Sequence, residues 1–518
     1  MQVPFRPQRP ARASSGVVPA LLALVLVLAA CSDRGLLSPP TLEPLLVHVD
    51  GPWLRDAKGR VVLLRGANVV TRDGTLAELP TEVHEQDFAF LASLGFNLVR
   101  LPIPWAGVEP RPGFHDFDFL RGHVDPLLRA ASDHGMQVIL ALQTIRWSSC
   151  FRGERSAAPW MCTAVSDGPA AQQGFGARDV LAELKAARAQ CSFLRDARAA
   201  DDATLREHFA VTWGAIAHYY DQDRRIFGFD LIDEPSATGC MRPDAFVTEV
   251  LTPFYGEIAQ QVRAAAAPQA LVYQPGLTRE DPLLGVPAGP LPGSIFAPHL
   301  FGQTFGAPPG DTENTQPALG ALYARATALA RAMGGPLVVG EIGADGPPIA
   351  DFRPATRDLL AASLDELDRT LAGGAVWALV LRHPGGDATA PGIGNDGDAA
   401  VLARPFARRI AGIPQAMRFD TETGEFRLRF VDDPDRRPPD PSEIFVAATQ
   451  RYPQGFSVEV TKGDRWTFDA HNQRVLVYRG PGSTHEVTIR PALAPNAGEP
   501  TAAAAALDRS VAASGAHH

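Results

Sequence analysis

Lysine is nearly missing from this 518-residue chain: Lys58, Lys185 and Lys462 are the three among 48 basic residues. The arginines that replace it are scattered, with no run and no basic face. Acidic residues number 58, and the formal charge is −10 at pH 7. A nucleic-acid partner calls for clustered positive charge, so no nucleic acid is expected. Cysteine is also scarce, with five residues and no C-x-x-C pair, which removes the common zinc-binding pattern. No metal and no cofactor is expected. Long apolar runs are absent too. The longest, Val17 to Leu28, is about 12 residues, short of the roughly 20 that span a bilayer as a helix. The remaining composition, 45% hydrophobic and 20% charged, is that of a globular protein with room for one large or two to three ordinary domains.

What is present begins with an address. Arg6, Arg9 and Arg12 precede the apolar run, and Leu28-Ala29-Ala30-Cys31 follows it, the order of a secretory signal. A Cys behind small residues resembles a bacterial lipobox. That resemblance implies cleavage before Cys31 and its acylation, hence a lipid-anchored protein of the bacterial cell envelope, on the periplasmic face or cell surface. Cys150, Cys162, Cys191 and Cys240 then remain, an even number in an oxidising compartment. They are disulfide candidates with three possible pairings.

From residue 46 to 412, β-rich runs alternate with amphipathic segments. The runs are Val61–Val69, Phe96–Ile103, Gln137–Gln143, Ile226–Ile232, Ala270–Gln274, Ser294–Phe301, Pro336–Gly343 and Gly374–Val380. Regular alternation of strand and helix implies parallel pairing, and eight units fit an α/β fold of the (β/α)8, or TIM, barrel type. After residue 412 short alternating stretches separated by Pro, Gly and Asp predict an antiparallel β-sandwich over 413–492. The expected organisation is therefore signal 1–30, tether 31–45, barrel 46–412, β-sandwich 413–492 and an Ala-rich, loosely ordered tail 493–518. Gly392-Ile393-Gly394-Asn395-Asp396-Gly397 has the spacing of a dinucleotide loop. It does not open a helix after a first strand, so it reads as a flexible loop.

A barrel builds its site at the C-terminal ends of its strands. Those ends offer Asn68, Arg100, Gln143, Glu234, Gln274, His299, Glu341 and Trp377. Singly, each is explained by a satisfied core group, a loop or an ion pair; together they outline a site. Glu234 and Glu341 are the sharpest pair. Splitting a glycosidic bond needs one carboxylic acid to protonate the leaving oxygen and one carboxylate to attack or stabilise the sugar cation.

The ordered motifs carry a resemblance. They are Arg65-Gly66-Ala67-Asn68-Val69, Phe96-Asn97-Leu98-Val99-Arg100-Leu101-Pro102-Ile103, Glu109-Pro110, Ile232-Asp233-Glu234-Pro235, Ala297-Pro298-His299, Val339-Gly340-Glu341-Ile342-Gly343, Trp377 and Arg404-Pro405-Phe406. With these the chain resembles glycoside hydrolase family 5, most closely its endoglycoceramidase-like branch. The resemblance implies Glu234 as acid/base and Glu341 as nucleophile of a retaining double displacement, with carboxyl groups about 5–5.5 Å apart. It also implies that Arg100 keeps Glu341 ionised, that His299 and Trp377 line the sugar, and that Asp233, Gln143 and Asn68 bind substrate. Three positions depart from the family pattern. Asp233 stands where an Asn is usual, Gln143 ends a strand that commonly carries Asp-x-His, and Phe301 replaces a tyrosine. The expected partner is a carbohydrate or glycolipid, at a membrane reached through the lipid anchor. Soluble β-glucosides or glucans, or sugar binding without turnover, are the alternatives.

Overall fold

The computed structural model describes residues 47–70, 85–143, 150, 158–165, 180–278, 281–286, 291, 293–301, 312–343, 354–380 and 400–492. The signal, the tether with Cys31, the Gly392–Gly397 loop and the tail lie outside these residues.

Three short strands open the described chain: β1 (Val47–Asp50), β2 (Trp53–Asp56) and β3 (Val61–Val62). Nine parallel strands follow: β4 (Arg65–Val70), β5 (Leu98–Pro104), β6 (Gln137–Gln143), β7 (Ile226–Asp230), β8 (Ala270–Tyr273), β9 (Ser294–Phe296), β10 (His299–Phe301), β11 (Val338–Gly343) and β12 (Gly373–Val380). Their order is β10-β11-β12-β4-β5-β6-β7-β8-β9. The two ends, β9 and β10, are consecutive in the chain and joined through Ala297-Pro298. Phe296 bridges Leu337 and His299 pairs with Glu341, so the sheet curls into a ring with β9 and β10 as halves of one stave. The run read as one strand over Ser294–Phe301 is therefore interrupted, and the break sets the angle at which His299 enters the mouth.

Helices cover the outside, and local chemistry starts them. Thr204 caps the helix Leu205–Tyr219 by accepting from Glu207 N, while the Glu207 side chain returns to the Thr204 backbone. Inside the ring the alternation of strand residues sorts the side chains by height. The lower layer is apolar, with Leu64, Leu98, Ile139, Phe227, Val272, Ile295 and Val338 closed from below by Leu54 and Val62. The layer above is polar and buried: Asn68, Arg100, Asp230, Gln274, His299 and Glu341.

Eight further strands build two antiparallel sheets: β13 (Phe406–Ile410), β14 (Ile413–Phe419), β15 (Phe426–Val431), β16 (Ser442–Phe445), β17 (Phe456–Val460), β18 (Arg465–Asp469), β19 (Arg474–Tyr478) and β20 (Thr484–Pro491). The larger sheet runs β1-β2-β3-β13-β16-β19-β18 and the smaller β14-β15-β20-β17. Strands β1 to β3 and β13, which the sequence boundaries put with the barrel, thus pair with the β-domain. The reason lies in the run Val61–Val69. Its first two residues hydrogen-bond outward to β2 and β13, and only from Arg65 does it enter the ring. Asp368 clamps the junction, binding Arg65 at 2.9 Å and Arg404 at 2.9 Å. No helix among the described residues is long and apolar enough to cross a membrane.

Candidate active site

Arg100 is the hub of the polar layer. Its Nε donates to Asp230 Oδ2 (2.9 Å), Nη1 to Asn68 Oδ1 (2.9 Å) and Glu341 Oε1 (2.7 Å), and Nη2 to Asp233 Oδ1 (2.8 Å). Asn68 Nδ2 in turn donates to Gly340 O at 2.9 Å, fixing the strand that carries Glu341. Both Asn68 and Arg100 are 0% exposed. Neither exposes surface in this structure: Arg100 contacts the carboxylates directly, and Asn68 contacts Arg100 and the Gly340 carbonyl.

Glu234 sits just past β7 with φ of 46°, a left-handed backbone unusual for a residue with a side chain. The surrounding chain holds it there. Its N–H donates to Gln274 Oε1 (2.8 Å), and its carbonyl accepts from Gln190 Nε2 (3.2 Å). Gln190 Oε1 also receives Ser236 N at 3.1 Å. Gln274 is itself steadied by Asp230 Oδ2 at 2.9 Å and by the Tyr255 hydroxyl, which donates to its carbonyl at 2.8 Å. The disulfides resolve the open pairing as Cys150–Cys162 and Cys191–Cys240. The second ties the helix bearing Gln190 to the loop bearing Glu234. Replacing Cys191 and Cys240 together by Ser should cost about 3–4 kcal/mol through the released loop and also lower kcat. The Cys150/Cys162 pair should cost stability with a smaller kcat loss. Denaturation midpoints and turnover of the two double variants check this, and equal kcat losses would sink the positioning role.

His299 joins the two glutamates. Its Nδ1 lies 3.0 Å from Glu234 Oε1 and 3.5 Å from Glu341 Oε2, while Nε2 stands 3.9 Å from Asp233 Oδ1. Gly340 makes room for the ring, because a Cβ there would meet His299 Cδ2 at 2.9 Å. Trp377 ends near the mouth on β12, partly exposed and packed on the core, and is joined to Ala378 by a cis peptide. Gln143 ends β6 buried opposite Pro104, and no described hydrogen bond links it to the carboxylates. Phe301 meets the His299 ring edge-on, with ring centres 6.4 Å apart.

The electrostatics depart from expectation at Glu341. Burial pushes its carboxyl up to about 8, and Asp233 and Glu234 add to that against the pull of His299 and Arg100. Arg100 favours the ionised form of Glu341, but its one charge is divided among Asp230, Asp233 and Glu341, and burial outweighs it. Asp230 is raised as well, by burial first. Burial opposes a charged His299, but Glu341 and Glu234 outweigh it and raise the imidazole. For a reaction in which Glu341 attacks, its carboxyl must be ionised, which sets the expected acid limb of kcat/KM in the free protein near pH 8. Asp233→Asn removes a negative neighbour, which lowers the Glu341 pKa and moves that limb down by about one unit, tenfold in rate at acid pH. A pH profile on an aryl β-glycoside tests the sign; a limb that rises or stays would refute it.

Two carboxylates, a shared histidine and a buried guanidinium at the mouth of a parallel barrel are a glycosidase's working parts. Residues 56–361 match the description "Cellulase (glycosyl hydrolase family 5)", and 404–489 match "Glycoside hydrolase family 5 C-terminal domain". The chain belongs to glycoside hydrolase family 5. Endoglycoceramidase I of Rhodococcus hoagii is 25% identical over 470 residues, covering 86% of this chain and 88% of that protein. Among solved structures, the ganglioside GM3 complex of endo-glycoceramidase II from Rhodococcus sp. matches with TM-score 0.66 at 22% identity. It covers 86% of this chain and all of that one. Sterylglucosidase 1 of Cryptococcus neoformans matches with TM-score 0.65 at 13% identity, over 87% and 98% of the two chains. The chain is a glycoside hydrolase with a family 5 barrel and its accompanying β-domain.

Sequence reasoning missed two supports of this glycosidase site. Asp230 reads in the sequence as one more residue of an apolar strand, although an acidic residue inside such a strand signals a buried cation. Gln190 lies on the helix Val180–Arg195, which was not foreseen. Its position beside a paired cysteine was the available clue.

Proposed function

We propose that this hydrolase cleaves the β-glycosidic bond of a glycolipid with retention of configuration, an endoglycosylceramidase-like activity. The observation that carries retention is the common reach of both glutamates to His299 Nδ1, at 3.0 Å and 3.5 Å. The oxygens that meet His299 then stand no farther apart than about 6.5 Å, the lower edge of the inverting range, which supports the closer retaining spacing. Glu341 attacks the anomeric carbon as Glu234 gives its proton to the departing oxygen, leaving a glycosyl ester on Glu341. Glu234 then takes a proton from water, which attacks the same carbon and releases Glu341. His299 bears on both steps through its contacts with the two carboxylates, and Arg100 through its contact with Glu341.

A glycolipid substrate is supported by the relatives, one an endoglycoceramidase and one seen with a ganglioside. An acylated Cys31 would hold the enzyme at the surface where such a substrate sits. The purified protein is to be offered glycosylceramides in detergent, steryl glucoside, aryl β-glucosides and β-glucan, with the first-formed anomer read by proton NMR. Release of an intact β-configured glycan from glycosylceramide is the expected result. Cleavage of soluble glucan alone would move the enzyme to the alternative, and binding without turnover would make it a lectin-like barrel. Mass analysis of the first peptide, with Cys31→Ala beside it, tests the anchor.

A further inference from the structure

The larger β-domain sheet holds a second knot of charge that barrel chemistry does not use. Glu443 on β16 accepts from three guanidinium groups: Arg60 at 2.9 Å, Arg409 at 2.8 Å to each oxygen, and Arg474 at 3.1 Å. Arg60 also binds Asp56 at 2.8 Å, and Arg409 Nε lies 3.7 Å from that carboxylate. Burial works against the charge of Glu443, yet Arg409, Arg474 and Arg60 outweigh it and draw its carboxyl down to about 2.

A fourth arginine beside them has no partner among the described residues. Arg408 is the extra residue where β13 slips against β16, between the pairs Ala407↔Ile444 and Arg409↔Glu443. It is 7% exposed, and among the described residues its guanidinium makes no hydrogen bond and no ion pair. Burial, then Arg474 and Arg409, weaken its hold on the proton, and Glu443 alone pulls the other way. Arginine keeps its proton in proteins, so the cost of an unpaired buried charge is not relieved by neutralisation. The Nε atoms of Arg409 and Arg474 are sealed from solvent without a hydrogen-bond acceptor, whereas the Arg408 nitrogens are not sealed in this way. Four guanidinium groups here face Asp56, Glu443 and, from farther out, Asp469, whose charge reaches Arg474. Positive charge and donors are both in excess.

The knot lies in the seam between the sheet and the barrel floor. Arg409 is paired across the strands with Val62, which closes the barrel from below. Phe445, two residues from Glu443 and so on the same face, packs over Gly95 at the foot of β5.

We propose that this seam binds a small oxyanion, a phosphate, sulfate or carboxylate group, on Arg408 with the free Nε groups of Arg409 and Arg474 as further donors. Charge-assisted bonds of this kind are the strong ones, and guanidinium geometry suits them. The same chemistry has two sources, a free ion or the headgroup of an anionic lipid.

Thermal unfolding of the full chain in phosphate and in chloride at equal ionic strength tests the site. Wild type should gain roughly 2–4 °C in Tm, saturably, in phosphate. Arg408→Met should lose that gain, and in chloride it should melt at or above wild type, because the unpaired charge is gone. No phosphate gain in wild type, or the same gain in Arg408→Met, overturns the proposal. So does a variant that melts lower in both salts by the same amount, which would mean that Arg408 serves protein contacts alone. Arg408-dependent sedimentation with phosphatidylglycerol but not phosphatidylcholine vesicles assigns the headgroup. A phosphate gain without vesicle binding assigns the free ion.

Discussion

Glu341→Gln should abolish turnover, lowering kcat by at least ~10⁴-fold, while leaving the fold as stable as wild type or more so. The amide keeps the shape of the carboxylate and an oxygen to accept from Arg100 Nη1, which now stands 2.7 Å from Oε1. It also removes a charge that burial disfavours, the reason the Glu341 carboxyl titrates near 8. Stability and activity therefore move in opposite directions, which separates a lost nucleophile from a damaged fold. Glu341→Ala adds a stereochemical readout. Azide placed in the vacated space attacks the anomeric carbon from the former Glu341 side, and the product from a β-glycoside is the α-glycosyl azide. Glu234→Ala should behave differently. With a dinitrophenyl leaving group, which needs no proton, the glycosyl-enzyme should still form and then persist, visible as added mass. A Glu341 variant that keeps a tenth of wild-type turnover, or a β-azide from Glu341→Ala, would reverse or cancel these roles.

The two glutamates were legible in the sequence because each interrupts the end of an apolar run, Glu341 within β11 and Glu234 just past β7. The barrel was legible for a related reason: its strands are buried on both faces and read as near-continuous apolar runs, as in Gln137–Gln143. The β-domain was less so. Strand β18 shows little burial contrast, with Arg465 to Phe468 all exposed, and carries no alternation to read. Strand β3 precedes the barrel in sequence yet pairs with β13 beyond it, drawing β1 and β2 into the same sheet, and pairing partners far apart in the chain leave no local mark. The state of Glu341 could not be read from composition either. Proximity of Arg100 to one carboxylate suggests an ionised nucleophile, and only the full count of three carboxylates on that one cation shows why burial prevails.

Arg100→Met should be among the most damaging substitutions, lowering stability by about 3–5 kcal/mol and nearly eliminating turnover. Arg100 is fully buried and binds Asp230, Asp233 and Glu341 at once. Those carboxylates hold its proton more tightly than usual although burial opposes it. Without the guanidinium, Asp230 at 0% side-chain exposure and Asp233 at 13% are left with His299 as the one cation near them among the described residues. Ionisation of Glu341 then loses one of the two groups that favour it, so the acid limb of the pH profile should climb as the fold weakens. Lysine is no substitute: a single ammonium cannot span three carboxylates with the fork of a guanidinium, so Arg100→Lys should recover only part of either property. A second substitution makes the argument sharper. Adding Asp233→Asn to Arg100→Met removes one of the stranded charges, so the double variant should be more stable than Arg100→Met alone. In wild type the same Asp233→Asn change breaks a paired charge and should be neutral or destabilising. That reversal of sign is the coupling a denaturation-based double-mutant cycle measures. Equal effects of Asp233→Asn in both backgrounds would mean that Arg100 is not the group balancing these carboxylates.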